Sequence, residues 1–83
     1  MNTNKAILDK NLYRTKELYF ASIIYALDIK MIEFTRDGRV CWFEFADKEK
    51  CEEVYRKFIS KDLMVNAKRY EEAIRTLKDL IFE

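Results

Sequence analysis

The 83-residue sequence has no histidine, no proline, a single glycine (Gly38) and two cysteines, Cys41 and Cys51. Each scarcity closes off some chemistry. Without histidine the chain lacks the commonest general base, the commonest zinc ligand and any histidine-supported nucleophile. One glycine cannot build a glycine-rich phosphate loop or a dinucleotide-binding turn. No Cys-x-x-Cys pair occurs, and both thiols fall on expected core faces, where free cysteine acts as a small hydrophobe; the reduced state is expected. Long apolar runs are missing too: the most apolar stretch, Leu18 to Leu27, is about half of the ~20 residues needed to span a bilayer. No secretory h-region follows Met1-Asn2-Thr3-Asn4-Lys5, so the cytoplasm is the expected location and no membrane association is expected. An excess of one charge is also absent. Sixteen basic and fifteen acidic residues give a net charge of +1, so only a local cluster of cations can recruit a polyanion.

What is present begins with the glycine. Arg36-Asp37-Gly38-Arg39 lies between two alternating runs, Ile29 to Thr35 and Val40 to Ala46. Asp-Gly between such runs is a strong signal for a two-residue type I′ hairpin turn, which needs positive φ at both central positions. With Asp37 and Gly38 at the tip, Arg36 faces Arg39, Phe34 faces Cys41 and Ile32 faces Phe43. One face of the hairpin then carries Ile32, Phe34, Cys41, Phe43 and Phe45. The other is mixed, with Met31, Val40 and Trp42 among Glu33, Thr35 and Glu44.

Helical patterns flank the hairpin. Thr15-Lys16-Glu17 reads as a helix start with Thr15 at the N-cap, and the helix running to about Leu27 is apolar nearly all round, the mark of an element buried on several sides. Asp47 offers the next N-cap, before Cys51, Val54, Tyr55 and Phe58 at helical spacing, with an end near Ser60. Asn66 caps the last helix, with Val65 and Tyr70 at the positions of a hydrophobic staple and Ala73, Ile74, Leu77 and Ile81 continuing its stripe. Residues 1–14 match neither period. Their apolar members Ala6, Ile7, Leu8, Leu12 and Tyr13 suit an arm packed on the domain or on a second copy. The expectation is a single small α+β domain over residues 15–83: a helix, a two-stranded antiparallel β-hairpin, then two helices, with the helices packed on one face of the hairpin.

The stretches Leu18-Tyr19-Phe20-Ala21, Cys41-Trp42-Phe43-Glu44-Phe45, Ala67-Lys68-Arg69-Tyr70 and Leu77-Lys78-Asp79-Leu80-Ile81 resemble a family of small uncharacterised domains, a domain of unknown function met in bacteria, phages and mobile elements. The resemblance covers roughly residues 15–82. It implies a helix–hairpin–two-helix domain of phage or mobile-element origin and carries no active site that can be transferred.

Two surfaces stand out. Met31, Val40 and Trp42, on the hairpin face the core does not need, suit a protein-binding patch, since tryptophan and methionine are enriched at interface cores. The plainer reading is that the arm or the first helix covers them. Arg36 and Arg39 at the hairpin tip, extended by Lys68, Arg69, Arg75 and Lys78 on the last helix, are candidates for nucleic-acid phosphates. Against this, Glu71, Glu72 and Asp79 are interleaved, and Glu71–Arg75 and Arg75–Asp79 read as ordinary i, i+4 pairs on a solvated helix. Among the five tyrosines, Tyr55 and Tyr70 fall on apolar stripes, Tyr19 and Tyr25 on the buried first helix, and only Tyr13 is free enough to stack on a base. Neither Glu52-Glu53 nor Glu71-Glu72 forms a facing carboxylate pair. No catalytic residue, cofactor or metal is therefore expected. The expected function is that of a non-catalytic, self-associating interaction protein, an adaptor or inhibitor acting on a host or mobile-element protein. The alternatives are a nucleic-acid-binding accessory protein, and a protein that sequesters a ligand or nucleotide at a dimer seam.

Overall fold

The structure, a computed structural model, describes residues 11–83. The elements run β1 (Tyr13–Thr15), α1 (Leu18–Ala26), β2 (Met31–Asp37), β3 (Val40–Phe45), α2 (Lys48–Ile59) and α3 (Ala67–Ile81). The class is α+β, and the sheet is larger than a hairpin. Among the described residues it has three antiparallel strands in the order β1-β3-β2, with Tyr13, Arg14 and Thr15 opposite Phe45, Glu44 and Phe43. The described elements thus open on a strand rather than on a helix, and the expected boundary between arm and domain falls inside β1. The apolar residues Ala6, Ile7 and Leu8 of the expected arm lie outside the described residues. Thr15 is not the cap of α1. It ends β1, is buried, and its Oγ1 accepts the Glu17 N–H at 3.1 Å; Glu17 stands at the N-cap with no side-chain cap bond.

The hairpin turn differs from expectation by one residue. Asp37 pairs with Val40, so Gly38 and Arg39 form the tip, with Gly38 at φ 64°. Glycine at the first central position is the arrangement of a type II′ turn, which asks for positive φ only there. The pairing therefore slips by two residues, so that Phe34 faces Phe43 and Arg36 faces Cys41. A two-residue slip preserves the faces, because the side-chain period is two. A second departure does not. The register shifts between Met31, opposite Phe45, and Glu33, opposite Glu44. This bulge inserts one residue and exchanges the faces beyond it. Ile32 is turned out and 45% exposed, while Met31 turns in and packs against the core.

The three described helices share one core with the inner face of the sheet, α3 packing chiefly along α1. The core joins Phe43 and Phe45 to Phe20, Ala21, Ile23 and Ile24 of α1, Ile29, Cys51 and Val54 of α2, and Leu77 of α3, with Phe34 packed at its edge. Fully burying a Phe or Leu side chain stabilises by about 1.5–3 kcal/mol, so these few residues carry most of what a small domain can gather. α1 is buried on most sides, as its composition implies, but Tyr19 remains 58% exposed. Its buried Ser22 is satisfied by donating to the Leu18 carbonyl at 2.8 Å.

Scarcity of glycine shows in the backbone. Asp28, Asp47 and Lys61 hold positive φ without being glycine, at 66°, 60° and 65°. Two of them end helices in the same way. Ile29 N–H bonds the Ile24 carbonyl and Asp28 N–H the Tyr25 carbonyl; Asp62 N–H bonds the Lys57 carbonyl and Lys61 N–H the Phe58 carbonyl. Both are Schellman motifs, whose left-handed residue is usually glycine. Asp47 is the N-cap of α2, its carboxylate accepting the Lys50 N–H at 3.2 Å, and Asn66 caps α3 by accepting the Arg69 N–H at 3.0 Å.

Candidate interaction surfaces

The outer face of the sheet is built by alternation. Arg14 of β1, Trp42 and Glu44 of β3, and Glu33 and Thr35 of β2 share it. Arg14 lies over the indole of Trp42, its guanidinium carbon 4.4 Å from the ring centroid, and its Nε bonds Glu44 Oε2 at 2.8 Å. The residue that closes over Trp42 thus comes from within the expected arm. It also answers a charge problem, because Glu33 and Glu44 are directly opposed across β2 and β3, where like charges repel. Met31 does not belong to this face. The bulge sends it into the core, so the expected set of Met31, Val40 and Trp42 is divided: Val40 is exposed near the tip, Trp42 is half-buried beneath Arg14, and Met31 faces inward.

The expected basic surface is largely spoken for within the fold. Arg36 lies on the inner side of β2, and its Nη2 donates to the Ile81 carbonyl at 2.6 Å. There it satisfies an orphan carbonyl and meets the negative end of the α3 dipole. Arg69 Nη1 pairs with Asp28 Oδ2 at 2.6 Å, tying α3 to the end of α1. Lys68 and Arg75 flank Glu71 at 3.1 and 3.4 Å. The Lys68 hydrogen bond, then the Lys68 and Arg75 charges, hold the Glu71 carboxyl below its ordinary pKa. Of the six cations considered, Arg39 and Lys78 alone have side chains that make no ion pair or hydrogen bond among the described residues. They sit on different elements, the hairpin tip and the last turn of α3.

Tyr13 is not free to stack on a base. It is half-buried, edge-on to Phe20 with ring centroids 6.1 Å apart, and burial raises its hydroxyl pKa. Cys51 is fully buried, donates its S–H to the Ala46 carbonyl at 3.5 Å, and is pushed up to about 11 by burial, then by Asp47 and Glu52. A thiol held this far towards its neutral form is a poor nucleophile. Between the end of α1 and α3 lies a shallow groove of about 330 Å³, lined by Tyr25, Asp28, Arg69, Glu72 and Thr76 among others. Its two central charges already pair with each other.

The largest departure from the sequence reading is on α2. Tyr55 and Phe58, assigned to the buried stripe with Cys51 and Val54, are 44% and 43% exposed, and Ile59 is 59% exposed. The rings of Tyr55 and Phe58 each lie 5.3 Å from that of Phe20, which they shield. Tyr55, Phe58 and Ile59 are spaced i, i+3, i+4 and so form one continuous ridge. Around them α2 presents only charge: Glu52, Glu53, Arg56 and Lys57.

These features stand on a domain whose family is known. The family model for a domain of unknown function, DUF5659, matches residues 10–83, from just before β1 to the end of the chain. The chain belongs to the DUF5659 family. No curated protein and no solved structure matches it. The matched span of this DUF5659 domain takes in every described element, including the strand that supplies Arg14. Among those elements no helix is long and apolar enough to cross a membrane.

Proposed function

We propose that this DUF5659 domain is a non-catalytic interaction protein that binds a macromolecular partner through the Tyr55–Phe58–Ile59 ridge of α2. The observation that carries this reading is the ridge itself. Two aromatic side chains and an isoleucine remain about half in water, side by side, on a helix otherwise lined with charge. Aromatic anchors ringed by polar residues are the usual composition of an interface core and its rim. The ridge replaces the Trp42 face as the working surface, because Arg14 already occupies Trp42. The pairing of Arg36, Lys68, Arg69 and Arg75 within the fold weighs against a nucleic-acid platform. In this reading the protein acts in the cytoplasm as an adaptor or inhibitor of phage or mobile-element type, an origin that rests on the family resemblance alone.

The test is photo-crosslinking in the native cell, with a benzophenone amino acid at position 59 and a control at position 39 on the hairpin tip. A discrete adduct from position 59 that is absent from position 39 supports the reading. No adduct of any mass from position 59 refutes it.

A further inference from the structure

We draw no further inference here: the strongest candidate, the exposed apolar ridge of Tyr55, Phe58 and Ile59 on α2, belongs to the surface already described, and nothing in the structure shows what covers it.

Discussion

Replacing Lys61 by glycine should stabilise this protein, and the three non-glycine left-handed residues supply their own controls. Lys61 has φ 65° at the end of α2, and its side chain makes no hydrogen bond or ion pair among the described residues. An L-residue with a Cβ forfeits about 1–2 kcal/mol in this conformation. Glycine removes that cost but loses about 0.5–1 kcal/mol through the greater freedom of the unfolded chain. The net expectation for Lys61→Gly is a gain of about 0.5–1 kcal/mol, which for a domain this size raises Tm by about 2–8 °C. Lys61→Ala keeps the Cβ and should change little. At the other two positions the side chain has a task. Asp28 pairs with Arg69 at 2.6 Å, and Asp47 caps α2 through Lys50 N–H. Asp also tolerates the left-handed region better than Lys, so there is less strain to relieve. Asp28→Gly and Asp47→Gly should therefore lie at or below the parent protein. Urea unfolding with a common m-value, supported by thermal melts, ranks the set. If Lys61→Gly is no more stable than Lys61→Ala, or if glycine helps equally at all three positions, the division into strained and employed residues is wrong.

Arg36→Ala should cost about 1 kcal/mol, the worth of a hydrogen bond that also meets the negative end of a helix, and should speed amide exchange in the last turn of α3; Arg39→Ala should do neither. Phe43→Ala, in the fully buried centre of the sheet, should cost about 3–5 kcal/mol, enough to unfold much of the population in a chemical denaturation series. Cys51 titrates at about 11 in the folded protein against an ordinary value of 9.0, so above pH 9 the unfolded chain gives up a proton that the folded chain keeps. The contribution is whole below pH 9 and is lost as pH rises towards 11, on the order of 2 kcal/mol; Cys51→Ala should flatten that decline in a stability–pH series. In the native protein half-buried Cys41 should react with a thiol reagent well before buried Cys51, which should become accessible only on unfolding.

Local chemistry made much of the fold legible. Asp47 and Asn66 are caps because a short carboxylate or amide can turn back onto the N–H three residues on, a property of a few adjacent residues. The inner face of Phe34, Cys41, Phe43 and Phe45 follows from alternation, and survives the two-residue slip of the turn for the same reason. The elements that escaped reading are those whose stability comes from distant residues. β1 is only three residues long and exists because β3 offers it an edge. The bulge at Ile32 leaves no glycine or proline to announce it, and it decides that Met31 rather than Ile32 reaches the core. Arg36 reads as a tip residue from its place beside the turn, and only the fold brings the Ile81 carbonyl at the end of α3 within its reach.

The candidate site divides in the same way. Periodicity identifies the stripe of α2 that carries Cys51, Val54, Tyr55 and Phe58, but says nothing about how far along the helix the core extends. The core covers Cys51 and Val54 and ends before the last turn, so Tyr55 and Phe58 shield Phe20 from one side and meet water on the other. The sequence by itself determined the α+β class, the hairpin, the caps of α2 and α3 and the absence of histidine chemistry, because each rests on residue type or on neighbours within a turn. Only the tertiary structure decided which apolar residues remain exposed and which cations remain unpaired, because burial and pairing depend on what the rest of the chain brings against them.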